Sequence, residues 1–249
     1  SITVNSENYV FLSRCARFTV TSRFTEGGTA LIKSKKASFI FKLCIAVIGT
    51  FVLCDSAGVF RMNFRVSFLY YFTNISNLLL VAYYWGALFQ AYKHPETAQK
   101  PWMPTVKHTL MLGITVTGLV AYFLLDHGEV FVNGVFKFNN FILHDVIPIC
   151  AVLDWLLFDE KPTMGFKEPL IWPLYPLTYF AYIIVLVLGF GVQIKEKSRW
   201  PYGFMDFDKL GVPTVTLTIV ILIVVFVVLG YLYVVIDKKL GEKIKKAEN

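Results

Sequence analysis

The run PTVTLTIVILIVVFVVLGYLYVVI, residues 213–236, carries no charged side chain. A stretch of that length and apolarity suits the hydrocarbon of a bilayer, which a helix of about 20 residues crosses. Five further runs resemble it, at 37–60, 68–92, 106–125, 141–158 and 173–194. None of the six alternates polar with apolar residues, as the strands of a membrane barrel do. Charged residues make up 16 % of the chain, hydrophobic residues 56 %, and the mean hydropathy is +0.58. A soluble domain carries about 25 % charge. The predicted fold is all-α: a polytopic membrane protein built as a six-helix transmembrane bundle.

The distribution of lysine and arginine predicts orientation. The N-terminal segment, the second and fourth connections and the C-terminal tail together hold 16 basic residues, and the other connections hold 7. Basic flanks stay in the cytoplasm, so both termini are expected there, with the protein multi-pass in the cell membrane. The net charge of +7 suits contact with anionic membrane lipids and gives no reason to invoke nucleic acid.

Three regions follow. Residues 1–36 read as a polar, disordered cytoplasmic extension ending in a basic stop at Lys33, Lys35 and Lys36. Residues 37–236 form the membrane domain, and 237–249 a basic tail on a solvated helix end. The cysteines Cys15, Cys44, Cys54 and Cys150 and the histidines His94, His108, His127 and His144 show no metal-ligand spacing. No metal or other cofactor is expected.

Within the predicted spans the polar residues are informative, because they are expensive in lipid and are usually kept for a function. Thr73 lies in FLYYFTNISNLLLVAYYWGALF and His144 in FILHDVIPICAVLDWLLF. Both spans enter from the predicted outer face, which puts Thr73 about five residues and His144 about three residues deep, at similar levels by helix rise. A hydroxyl and an imidazole at one depth are the parts of a nucleophile and its base. Asn77 shares a helical face with Thr73, with Ser76 one step round, so both are candidates to hold a substrate carbonyl or oxyanion. Interhelical hydrogen bonding is the plainer use of such residues. Asp154 lies toward the other end of its span, where Tyr or Lys groups are its expected partners. Tyr175, Tyr179 and Tyr182 form a stripe expected near the cytoplasmic end, and Tyr179 is a substrate-contact candidate only if a cavity reaches that deep. The segment RWPYGFMDFDKLG, with Asp206 as a further candidate, can fold back as a lid. Asp126 and His127 form another acid–base set at the outer end of span three.

The motifs YFTNISN, LHDVIPICAVLDWLLF, PLYPLTYFAY and RWPYGFMDFDKLG, in that order, resemble a bacterial six-pass membrane family. That family in turn resembles the androgen-induced membrane hydrolases, which cleave fatty acid esters of hydroxy fatty acids. The resemblance implies a threonine on an early span and a histidine on a later one as the active pair, matching Thr73 and His144. The expected function is an intramembrane threonine hydrolase acting on a lipid or fatty acid ester through a threonine acyl-enzyme. The alternatives are a lipid acyltransferase using the same pair, and a non-enzymatic transporter or structural membrane protein.

Overall fold

A computed structural model describes residues 28–125, 131–132 and 135–248, and within them the chain is mostly helical. The helices are α1 (Lys35–Ala57), α2 (Phe72–Lys93), α3 (Pro104–Val120, continued by a π-turn Ala121–Leu125), α4 (Phe138–Phe158), α5 (Leu174–Ile184, with a π-turn Val185–Gly189) and α6 (Phe207–Glu248). A two-residue hairpin, β1 (Phe131–Val132) with β2 (Val135–Phe136), precedes α4. Five of the helices are long and apolar enough to cross a membrane. The one that does not qualify, α2, has the length at 22 residues but begins Phe-Thr-Asn-Ile-Ser-Asn.

The helix ends follow local chemistry. Ser34 accepts a hydrogen bond from the Ala37 N–H and caps α1, which stops at Gly58, whose φ of 81° lies in the left-handed region. Tyr71 is extended, so α2 starts at Phe72, four residues later than the apolar pattern suggests. Thr73 therefore sits in the first turn of its helix. The backbone breaks its helical course at Gly211, two residues before Pro213, which sets the entry angle of α6.

Helices α1 to α4 pack against one another as the central bundle, and α5 and α6 lie against α3. A side chain at Gly49 would run into Val81, so glycine there lets α1 and α2 approach closely. The apolar core between these helices includes Leu80, Tyr84, Leu112, Ile114, Ile147 and Trp155.

At the end of the bundle where α4 finishes, that core gives way to buried charge. Lys107 Nζ lies 2.6 Å from both Asp154 and Asp159, and Lys42 Nζ lies 2.7 Å from Asp154. Lys42 also donates to Ser38. The four charged residues come from α1, α3 and the end of α4, and each is at most 5 % exposed. Beside them Lys161 donates to the Trp155 carbonyl and lies 3.7 Å from Asp237. Asp237 in turn accepts the backbone N–H groups of Thr163 and Met164, fastening α6 to the α4–α5 connection.

Lys107 and Lys161, read from sequence as flanking cations, are thus buried members of ion pairs. Residues 28–32, expected to belong to a disordered extension, are held in place. Thr29 pairs with Lys161 through the backbone, Ala30 is buried, and the Ile32 N–H reaches the Leu157 carbonyl. Residues 1–27 lie outside the described part. Helix α6 continues through the predicted tail to Glu248, and Asp237 at the start of that tail is buried.

Two expectations test this charged end. Lys107→Met leaves two buried carboxylates with one ammonium and should cost about 3–5 kcal/mol. The double variant Lys107→Met/Asp159→Leu should recover part of that loss in thermal melts. Equal melting of the single and double variants would show that Lys107 does not compensate Asp159. Burial pushes the Lys161 ammonium down to about 8 from 10.5, against the pull of Asp159 and Asp237. Between those values the unfolded chain holds the proton and the folded chain releases it. Stability should therefore rise with pH across that window, and Lys161→Met should flatten the rise.

Candidate functional site

At the opposite end of the bundle, α2 begins and α4 widens. Residues Ile142–Val146 form a π-turn within α4, carrying His144. Such turns interrupt the regular ladder and are frequent at functional sites. His144 Nε2 lies 3.1 Å from Thr73 Oγ1. With Nε2 unprotonated, the ring accepts the threonine proton, which is the arrangement a nucleophile and general base require. Thr73 is 8 % exposed and His144 is half-buried.

Two contacts fix this pair. Asn77 Nδ2 donates to the Thr73 carbonyl at 2.9 Å and to the Leu143 carbonyl at 3.1 Å. One amide therefore ties the turn holding the hydroxyl to the residue preceding the imidazole. On the other side, a Cβ at Gly118 would stand 2.7 Å from the His144 carbonyl, so α3 approaches this close only with glycine there.

The remaining predicted residues separate. Both N–H bonds of Asn77 are used on carbonyls, so it positions the pair and does not serve as an oxyanion donor. The Ser76 hydroxyl bonds to Tyr175 at 2.8 Å, joining α2 to α5. Tyr179 was expected far from Thr73, yet its hydroxyl donates to the Tyr70 carbonyl, just before α2. Its ring packs on Phe72 with centroids 5.1 Å apart, so α5 brings the side chain level with the start of α2, and it lines a cavity that also touches Thr73. Asp206 is a helix cap. Its Oδ1 accepts the N–H groups of Asp208 and Lys209 at the start of α6, and its Oδ2 accepts the Ser198 hydroxyl. Asp126 and His127 lie outside the described residues. Among the described residues, no three His, Cys, Asp or Glu side chains converge as a metal site.

The segment before α6 supplies a residue missed in the sequence reading. Trp200, Tyr202 and Met205 are buried against Tyr179, Ile183 and Val187 of α5. Burial pushes the Tyr202 phenol above its usual range, while the Thr73 hydroxyl and the N–H groups of Thr73 and Phe72 draw it back. Those N–H groups belong to the helical turn that has no intrahelical partner, and no side chain of Tyr71 caps them. The N–H groups of Phe72 and Thr73 and the Tyr202 phenol are thus the donors available beside the Thr73 hydroxyl. The signal in the sequence was the tyrosine inside the lid-like segment, but nothing in the spacing aimed it at Thr73.

Thr73 also divides two cavities. One is apolar, lined by Phe72, Val116, Val120, Tyr179, Leu222 and Phe226 among others. The other, of about 510 Å3, is polar and contains His144 together with Arg61, Arg65, Asn139, Asn140 and Lys195. Tyr202 borders both.

The chain matches no family model, no curated protein and no solved structure.

Asn77→Ala should leave the Leu143 and Thr73 carbonyls without that donor and cost about 1–3 kcal/mol of stability. Thermal melts in detergent measure this, and an unchanged melt would show that the amide does not clamp the two helices.

Proposed function

We propose that the protein is an intramembrane threonine hydrolase that cleaves a lipid or fatty acid ester. The observation that carries this reading is the 3.1 Å approach of His144 Nε2 to Thr73 Oγ1 where an apolar and a polar cavity meet. An acyl chain fits the apolar side, and the ester carbonyl then lies beside the hydroxyl. His144 takes the Thr73 proton as Oγ1 attacks that carbonyl. The tetrahedral oxyanion is held by the first-turn N–H groups and by Tyr202. As the intermediate collapses, the protonated imidazole gives its proton to the departing alcohol, leaving the acyl group on Thr73. Water, deprotonated by His144, then releases the acid. Transfer of the acyl group to a second alcohol would follow the same first half. The resemblance of the sequence motifs to the androgen-induced membrane hydrolases supports the same pair.

In this reading α2 is the sixth crossing helix. Its polar side chains are absorbed internally, as membrane segments require: Thr73, Ser76 and Asn77 are all buried. Both termini face the cytoplasm of a cell-membrane protein and Thr73 lies in the outer half. Setting aside the buried Lys107 and Lys161 leaves 14 basic residues on the inner side against 7, an excess in the same direction.

A lipophilic fluorophosphonate should label the purified protein, and both labelling and ester cleavage should disappear in Thr73→Ala and in His144→Ala. The double variant should be no worse than either single one, because the two groups act as a unit. A loss equal to the product of two modest single losses would overturn the pairing. In a cysteine-free background, an impermeant thiol reagent on intact cells should modify Met62→Cys and spare Lys245→Cys. The reverse pattern would invert the orientation.

A further inference from the structure

The polar cavity beside Thr73 has more positive charge than it neutralises internally. Arg61 is paired with Asp55 at 3.0 Å, and Asp55 also accepts from Asn139 at 2.7 Å. That leaves Arg65 and Lys195 on the cavity wall with no carboxylate in ion-pair range among the described residues. Asp206, the carboxylate nearest in kind, is engaged by Ser198 and by the start of α6, with Lys209 at 3.9 Å. Burial lowers the Lys195 ammonium below its usual range, with Asp206 pulling it up and Lys209 pushing it down. An anion in the cavity would favour the charged form of Lys195 and would pair with the permanently charged Arg65.

The division at Thr73 says which half of a substrate meets these charges. If the acyl chain occupies the apolar cavity, the alcohol half of the ester projects into the cationic one. A volume of about 510 Å3 lies in the range of small-molecule sites, about 300–1,000 Å3, and holds more than a bare ion. Two unpaired cations match a phosphate monoester, which carries about −1.5 to −2 at neutral pH. A carboxylate or a phosphodiester, with one negative charge, would leave one of them uncompensated. Arginine also presents a planar fork suited to phosphate oxygens.

We infer that the cavity lined by Arg65 and Lys195 binds a phosphate on the alcohol half of the ester, so that the substrate class is an acylated glycerol phosphate or a close analogue. This rests on the hydrolase reading for the role of Thr73, but the binding step is separable from cleavage.

The test uses the purified full chain in detergent and a non-hydrolysable ether analogue of an acyl glycerol phosphate. Binding is measured beside the same ether ending in free glycerol, in a carboxylate, and beside inorganic phosphate alone. The phosphate ether should bind about 25-fold more tightly than the glycerol ether. Arg65→Gln and Lys195→Gln should each remove about fivefold of its affinity, and together about 25-fold. Binding of the glycerol ether should not change in these variants, which reports that they remain folded. No preference for phosphate over glycerol, or a preference that survives the double variant, overturns the assignment. Equal binding of carboxylate and phosphate ethers overturns the phosphate specificity. Inorganic phosphate binding as tightly as the ether overturns the lipid assignment and leaves a site for the free ion. If the phosphate ether binds as expected while no ester is cleaved by the wild type, the subsite stands and the hydrolase reading falls.

Discussion

Asp154 sits at zero exposure between Lys42 and Lys107, and the arrangement of the central helices depends on that contact. An isolated charge in a low-dielectric interior is too costly to keep. A buried pair is tolerable only where geometry is good and the remaining hydrogen-bonding capacity is met. Here one carboxylate is shared by two ammonium groups from α1 and α3, Asp159 takes the second face of Lys107, and Ser38 takes a further proton of Lys42. Sliding α1 or α3 by one turn would separate these groups by about 5.4 Å and leave several charges unpaired. The cluster therefore fixes the register of three helices where apolar side chains alone would allow them to slip. Its second layer, Lys161 with Asp237, extends the same constraint to α6.

With that end locked, the opposite end is free to carry strain and polarity. The π-turn at His144 and the uncapped start of α2 both leave backbone groups outside the regular helical ladder. Such irregularity is tolerated at membrane depth only where it is buried in protein or lines a cavity. Asn77 takes up the Leu143 carbonyl, and Tyr202 packs on Tyr71 and borders both cavities that Thr73 lines. The site is thus built from the departures from ideal helix geometry, and the segment carrying Tyr202 is itself held by the Asp206 cap. The space beside Thr73 is polar on one side and apolar on the other.

The sequence by itself determined the class of the protein and singled out the two polar residues, Thr73 and His144, that the structure brings into contact. Runs of about 20 apolar residues leave few alternatives to membrane helices, and polar residues inside such runs are rare enough to single out Thr73 and His144. Periodicity also placed Asn77 on the face of Thr73, because i and i+4 neighbour one another on any helix. Only the tertiary structure decided what these neighbours do. The Asn77 amide was spent on two carbonyls because α4 happens to present Leu143 there, and no spacing along α2 encodes that. Tyr202 and Thr73 are separated by more than half the chain, Arg65 and Lys195 likewise, and their meeting follows from how α5 and the segment before α6 fold back. Lys107 and Lys161 looked like loop cations because a linear pattern records charge but not burial. Local patterns report which side chains lipid will not accept; which partner accepts them instead is settled by contacts between helices far apart in the chain.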